Sequence, residues 1–265
     1  MKNNSRVLFL SHGGGPMPLL GDPAHDEMLD CLKGIAGQLQ KPSAIIVVSA
    51  HWEEDIPTIT SNAAPDLIYD YYGFPQAAYD ITYPCLGAPL LAEQLHASFT
   101  RSGIKSKLDP QRGLDHGVFV PLKVMFPEAD IPCIQLSLVN TLDPSEHIKM
   151  GRAINQLDVD NLLIIGSGFS FHNMKAFFAP ETKEARAMNV SFERWLLATC
   201  SDKAISESTR TELLTDWVQA PAARYCQPRE EHLLPLHVCY GAAQRACLQT
   251  FELNILNKKS SMYLW

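Results

Sequence analysis

The sequence lacks the features that mark membrane, secreted and nucleic-acid-binding proteins. It has no apolar run of about 18 residues, the length that crosses a bilayer as a helix. Its first ten residues start with a basic residue but have neither the apolar core nor the cleavage site of a signal peptide. No basic stripe is present, and the formal net charge is -7. We therefore expect no membrane partner and no nucleic-acid partner.

Paired cysteine motifs are also missing. The seven cysteines are odd in number, scattered and free of CxxC spacing, a pattern typical of reduced thiols. This pattern predicts a cytoplasmic protein. The sequence has no internal repeat, low-complexity tract or interdomain linker. With 265 residues, of which 46% are hydrophobic, the chain can bury a core without disulfides. We therefore predict one domain, residues 1–265.

Three apolar runs rich in β-branched residues each lead to a histidine. They are residues 7–10, 44–50 and 162–165, and they lead to His12, His51 and His172. Continuous hydrophobicity indicates strands that are covered on both faces. The sequence therefore predicts the α/β class, with a central, mostly parallel sheet flanked by helices. Because ligands bind outside the carboxyl ends of such strands, we predict a metal site there, where these histidines meet.

The remaining pattern completes the predicted α/β unit. Helical periodicity predicts helices over residues 26–39, 88–102, 144–157 and 181–200. Apolar runs predict further strands at 57–60, 131–138, 251–256 and 261–265. The segment 201–211 is polar and shows no clear site, and the proline-containing segment 216–229 is predicted to form a loop. Residues 66–84 contain six tyrosines and phenylalanines, which suit either the wall of a binding cleft or a separate hydrophobic cluster.

The HGGG string at 12–15 also occurs in lipase-like hydrolases, but no GxSxG motif accompanies it here.

The other histidines are assigned from the residues that neighbour them in the sequence. His116 follows Asp115, which could fix its tautomer, at the entry to an apolar segment. Four further histidines are predicted to be structural or, for His147, solvated, since none of them closes a strand or sits beside a glycine. They are His25, His96, His147 and His237.

Five short motifs occur in a fixed order along nearly the whole chain. They are SHGGGP at 11–16, SAHW at 49–52, DHG at 115–117, FHN at 171–173 and EHLLPL at 231–236. With these motifs the chain resembles the class III extradiol ring-cleaving dioxygenases. Within that family it is most similar to the branch named for DOPA dioxygenase, which is related to the catalytic subunit of protocatechuate 4,5-dioxygenase.

The resemblance implies roles for individual residues. His12 and His51 correspond to the first two metal ligands, and His232 to the third ligand of the DOPA-dioxygenase-like branch. Glu231 competes with His232 because the protocatechuate-type enzymes carry a glutamate as third ligand. His116 and His172 match the acid/base histidines. In zinc-loaded relatives, the residue corresponding to His172 can also approach the metal.

The resemblance also implies an activity. It predicts cleavage of a catechol-type ring by O₂ at a non-haem Fe(II) ion, giving a muconic semialdehyde-type product. An all-histidine ligand set suits Zn(II) as well, so zinc is a plausible bound ion. Two alternatives stay open at this point. They are a zinc-dependent hydrolase or amidase with Glu231 as general base, and a non-catalytic scaffold.

Overall fold

The computed structural model describes residues 5–265, and within this range the chain forms eight strands and ten α-helices. The strands are β1 (Arg6–Ser11), β2 (Ala44–Glu54), β3 (Thr58–Thr60), β4 (Lys107–Asp109), β5 (Cys133–Val139), β6 (Leu162–Gly168), β7 (Gln249–Ile255) and β8 (Lys258–Leu264). The helices are α1 (Asp26–Gln38), α2 (Gln76–Tyr79), α3 (Pro89–Arg101), α4 (His116–Met125), α5 (Pro144–Ile154), α6 (Met174–Phe178), α7 (Lys183–Ser201), α8 (Glu207–Thr215), α9 (Ala223–Cys226) and α10 (Leu234–Ala243). None of the helices described is long and apolar enough to cross a membrane.

All eight strands belong to one sheet, in the order β4-β3-β5-β2-β6-β1-β8-β7. The four central strands β5, β2, β6 and β1 run parallel to one another. The hairpin of β7 and β8 adds antiparallel strands at one edge, and β3 joins β5 antiparallel at the other side. This arrangement confirms the predicted α/β class and its mostly parallel sheet. The carboxyl ends of the four central strands therefore meet at one edge.

The central strands are buried because helices cover both faces of the sheet. In β6, Gly166 lies against α10, where an added Cβ would meet the carbonyl oxygen of Pro235 at 2.5 Å. The next residue, Ser167, donates a hydrogen bond to the carbonyl oxygen of Gly117 in α4. Because neighbouring strand residues point to opposite faces, α4 and α10 cover opposite sides of the sheet. The continuous apolar runs of the sequence follow from this double coverage.

Most predicted elements are present, with ends shifted by a few residues. The structure corrects two expectations. Residues 216–229, predicted to form a loop, contain a short 3-10 helix at Trp217–Gln219 and α9, and His147 is fully buried rather than solvated. Its Nδ1 donates to the carbonyl oxygen of Asp143 at 2.7 Å, and its Nε2 accepts from the backbone of Val139 at 3.1 Å. Burial lowers its pKa to about 4. His147 thus ties the first turn of α5 to the end of β5.

The predicted domain, residues 1–265, begins four residues before the described range. Residues 1–4 lie outside the described residues, so the assignment of the complete chain to one domain stays a prediction.

Candidate metal centre

Five of the nine histidines converge on one region beside the carboxyl ends of the central strands. His12 follows β1, His51 lies near the carboxyl end of β2, and His116 begins α4. His172 lies between β6 and α6, and His232 precedes α10. The Nε2 atoms of His12 and His51 are 3.0 Å apart. Ring centroids are separated by 3.9 Å for His51 and His116, 5.0 Å for His51 and His232, and 3.3 Å for His172 and His232.

Hydrogen bonds fix the tautomer of His12. The Ser167 hydroxyl donates its proton to the carbonyl oxygen of Gly117, so the Ser167 oxygen can only accept from the imidazole. The Nδ1 of His12, which is 3.0 Å from that oxygen, therefore carries the proton. The Nε2 of His12 is left with a free lone pair that points towards His51. This is the form in which a histidine binds a metal.

His51 faces the same point from β2. Its backbone donates to Ser49 Oγ at 3.2 Å, and its Nδ1 lies 3.8 Å from Asp70 Oδ2. Pairing with β5 shifts register between Val48 and Glu53, so His51 sits in an irregular part of the strand. Burial, followed by the charge of His116, lowers the pKa of His51 well below its usual value. Burial does the same for the pKa of His12, so both rings are neutral at neutral pH.

His116 is oriented by Asp70, not by Asp115. Asp70 Oδ1 accepts from the Nδ1 of His116 at 2.8 Å and from its backbone N–H at 3.0 Å. Burial alone would raise the pKa of Asp70, but these hydrogen bonds lower it. The sequence-based expectation that Asp115 fixes the tautomer is wrong. Asp115 accepts from Ser49 Oγ at 2.7 Å and from Gln135 Nε2, beneath the start of α4.

Glu231 joins the other two imidazoles of the cluster. Its Oε1 lies 3.0 Å from the Nδ1 of His232 and 3.3 Å from the Nδ1 of His172. Its Oε2 accepts from Arg229 at 3.2 Å. Burial alone would raise the pKa of Glu231, but the hydrogen bonds from His172 and His232 lower it well below its usual range. The carboxylate is thus occupied by Nδ1 donors, which leaves the Nε2 atoms of both rings unbonded to it.

Backbone contact brings His232 over the sheet. Gly168, the last residue of β6, lies so close to His232 that an added Cβ would meet its carbonyl oxygen at 2.1 Å. The same carbonyl accepts from the backbone of Phe169 at 2.9 Å. Any side chain at position 168 would push this segment away from the other histidines. The glycine in this position therefore serves the approach of His232.

His25 holds the glycine loop at residues 13–15, which agrees with the structural role predicted for this histidine. Gly13 has a positive φ of 82° and turns the chain directly after His12. The backbone of Gly14 donates to the Nε2 of His25 at 3.0 Å, and the Nδ1 of His25 donates to Asp22 at 2.6 Å. Both nitrogens of His25 are therefore used in holding the loop.

The predicted site histidines fall into two groups of possible ligand atoms. One nitrogen from each of His12, His51 and His116 lies within 4.8 Å of the others. In the second group, one nitrogen each from His172 and His232 and a carboxylate oxygen of Glu231 lie within the same distance. His96 bonds to Ser106 Oγ at 2.8 Å, outside these groups. The geometry therefore admits more than one set of three ligands.

A cavity of about 390 Å³ opens above the histidines. Of the aromatic residues in 66–84, Tyr71 and Phe74 line it. Tyr69 and Tyr79 instead pack against Tyr71, so this loop contributes both a cleft wall and a hydrophobic cluster. Three other features of the site have no signal in the sequence. These are Asp70 behind His116, the side chains of α6, and the turn between β7 and β8.

Comparisons with known proteins agree with this architecture. Residues 7–264 match the family described as the catalytic LigB subunit of aromatic ring-opening dioxygenase. The chain is 41% identical to a protein named Dioxygenase tasH from Hapsidospora irregularis, with 89% of this chain and 78% of that protein covered. It is 36% identical to the 4,5-DOPA dioxygenase extradiol of Beta vulgaris, with 91% and 88% covered. A crystal structure of an uncharacterized protein from Escherichia coli K12 covers 98% of both chains, with a TM-score of 0.77 and 26% identity.

Proposed function

Since the chain belongs to the family of the catalytic LigB subunit of aromatic ring-opening dioxygenases and is an extradiol dioxygenase, we propose that it opens the ring of a catechol with O₂ at an Fe(II) ion. The observation that carries this proposal is the convergence of five imidazoles at the floor of a cavity large enough for an aromatic ring. The predicted alternatives, a zinc hydrolase and a non-catalytic scaffold, are not favoured by the comparisons.

We assign His12, His51 and His232 as the metal ligands. The Nε2 atoms of His12 and His51 are 3.0 Å apart, a separation at which two nitrogens can share one ion at bond lengths of about 2.0–2.1 Å. The free lone pair of His12 and the neutral state of the buried rings suit a metal better than a proton. Bound Fe(II) would supply open coordination positions and the redox chemistry that O₂ requires. Zn(II) suits the same nitrogen donors but has no redox chemistry.

His116 is the proposed base for the catechol hydroxyl. Its Nδ1 proton is held by Asp70, so its Nε2 is free to accept a proton from the substrate. The Asp70 carboxylate then stabilises the imidazolium that forms. Proton acceptance at this atom leaves the catechol oxygen negatively charged, the form in which a catechol chelates a metal.

His172 is the proposed second proton carrier. Its Nδ1 lies by Glu231, its ring stacks on His232, and its side chain is 20% exposed, so it reaches the cavity and solvent together. We propose that His172 returns a proton to the substrate oxygen as the ring opens. The carbon–carbon bond next to the diol breaks and both atoms of O₂ enter the product. Catechol supplies all four electrons, so no other reductant is needed.

Metal exchange tests the proposed activity. Metal-free protein reconstituted with Fe(II) without air is expected to turn over catechols once O₂ is admitted, with a yellow product seen by absorbance. The same protein loaded with Zn(II) should bind the ion and stay inactive, because zinc cannot pass electrons. If the zinc protein instead cleaves an amide or ester, or if the iron protein consumes no O₂ with any catechol, the proposal is wrong.

The choice between His232 and Glu231 as third ligand has its own test. We expect His232→Ala to lose the metal, whereas Glu231→Gln should retain it with an affinity lower by about 10- to 100-fold. The reason is that Glu231 contacts the outer Nδ1 atoms and so orients the ring without binding the ion. Metal content and dissociation constants of the two purified variants provide the measurement. Equal loss in both variants would make Glu231 a ligand.

A further inference from the structure

The cavity above the histidines has an unusually apolar wall. Six side chains of this wall are Met17, Phe74, Met174, Phe177, Phe178 and Leu256. Two of them stand at the mouth in contact with solvent, where Met174 is 54% exposed and Phe178 is 83% exposed. Exposed side chains of this size are costly unless an apolar partner covers them. The wall is therefore suited to an apolar group that extends outwards from a ring bound at the histidines.

Within residues 5–265, the same wall offers no lysine or arginine to a negatively charged group. Among the described residues, neither lysine nor arginine lines the cavity. Lys175 is exposed on α6 but does not belong to the lining. Arg229 is bound by both carboxylate oxygens of Glu53, at 2.5 and 2.7 Å, and by Glu231 at 3.2 Å. Its guanidinium is therefore not free to pair with a substrate.

The carboxylates near the site add to this effect. Asp70 and Glu231 lie directly behind the histidines, where each carboxylate accepts hydrogen bonds from Nδ1 atoms of the rings. A carboxylate on the substituent would lose water at a wall to which no described lysine or arginine contributes, beside these two further carboxylates.

Two polar side chains line the cavity besides the histidines, and neither is charged. The Tyr71 hydroxyl donates to the carbonyl oxygen of Ala78 at 2.6 Å and is therefore occupied. Asn257 lies in the turn between β7 and β8, where Leu256 and Asn257 both have positive φ. The Leu256 backbone donates to the carbonyl oxygen of Ala24 at 3.1 Å, which fixes this turn at the cavity wall.

We propose that the substrate is a catechol with an uncharged, largely apolar substituent, rather than one that carries a carboxylate. This inference rests on the proposed ring-opening function and names its substrate class. The diol binds at the histidines, and the substituent lies along α6 and Leu256. The relatives named 4,5-DOPA dioxygenase are named for a substrate that is an amino acid and carries a carboxylate. The substrate proposed for this chain differs from DOPA in that respect.

A pair of substrates with side chains of equal length tests the inference. Fe(II)-loaded protein is given 4-propylcatechol or 3-(3,4-dihydroxyphenyl)propanoate, which differ in that a methyl group is replaced by a carboxylate. We expect kcat/KM to be at least about tenfold higher for propylcatechol. Dissociation constants measured without O₂ should differ in the same direction. DOPA is also expected to be disfavoured, because both its carboxylate and its ammonium group would lose water at the apolar wall.

Variants at the mouth locate the substituent. Met174→Arg places a cation on the wall and is expected to lower the preference for propylcatechol by at least about threefold. Met174→Gln, which removes the apolar end without adding charge, should change the preference less. Leu248→Arg is the matched control, because Leu248 is exposed at the far end of β7 from the cavity turn. This variant should leave the preference unchanged.

The outcomes separate the two proposals. A preference for the carboxylated substrate, or a ratio clearly below tenfold, overturns the inference while ring opening itself stands. An unchanged ratio in Met174→Arg also contradicts it, since α6 would then not contact the substituent. If the iron-loaded protein opens no catechol of either kind, the proposed function fails and this inference fails with it.

Discussion

Replacing His51 by alanine is expected to abolish stable metal binding and, with it, ring opening. The Nε2 of His51 faces the Nε2 of His12 at 3.0 Å; His12 is buried, His51 is half-buried, and both rings are neutral. Loss of groups that only orient a ligand costs about 10- to 100-fold in metal affinity, so loss of a direct ligand should cost more. Metal content after dialysis and the dissociation constant for Fe(II) measure this effect, together with O₂ consumption.

A second histidine provides the control for this experiment. His96 lies on α3, bonds to Ser106 and has no contact with the cluster, so His96→Ala should keep both metal and activity. The thermal stability of the two variants shows whether either has failed to fold. Full metal occupancy in folded His51→Ala would contradict the proposed ligand set. The remaining histidines would then have to hold the ion without β2.

Much of this fold is readable from the sequence because of one physical constraint. Strands that are covered on both faces must be apolar along their length, so residues 7–10, 44–50 and 162–165 stand out as strands. In a parallel arrangement the ends of these strands meet at one edge. This explains why the positions of His12 and His51 in the fold follow from the local sequence. The approach of His172 follows less directly, since three residues separate it from the end of β6.

The partners of these histidines are harder to predict, because they come from distant segments. Asp70 is 46 residues from His116 along the chain, and the aromatic loop that carries it has no regular pattern. The neighbour Asp115 is the obvious candidate in sequence, but α4 begins directly after it and turns its side chain towards Ser49. Local spacing therefore identifies the side chains that perform chemistry better than those that orient them.

Two carboxylates, from different loops, share the work of orientation in this site. Asp70 holds His116 on one side of the cluster, while Glu231 contacts His172 and His232 on the other. Each carboxylate accepts a hydrogen bond from an Nδ1–H group, so the Nε2 lone pair of that ring points away from the carboxylate. Whether a histidine binds the metal or accepts a proton then depends on the position of its ring and not on its tautomer. Single substitutions that separate metal binding from turnover are therefore the decisive measurements.

His116→Ala is expected to keep the metal and lose turnover. The His116 ring lies close to His51, but its proposed role is to accept the substrate proton at Nε2 while Asp70 holds its Nδ1. Loss of a positioned general base typically costs about 100- to 10,000-fold in rate. We therefore expect kcat to fall by that range at a metal content equal to that of the unchanged protein. Stopped-flow absorbance under O₂ and metal analysis of the same sample provide the two readings.

The Asp70→Asn variant tests how His116 acts. An asparagine amide can donate as well as accept, so the imidazole of His116 can turn to the opposite tautomer and lose its free Nε2 lone pair. Turnover should then fall although the ring, the metal and the cavity remain.

Loss of the metal in His116→Ala would be equally informative, because one nitrogen of His116 lies within 4.8 Å of ligand atoms from His12 and His51. If His116→Ala loses the metal as completely as His51→Ala, then His116 is a ligand and the proton must be taken by His172.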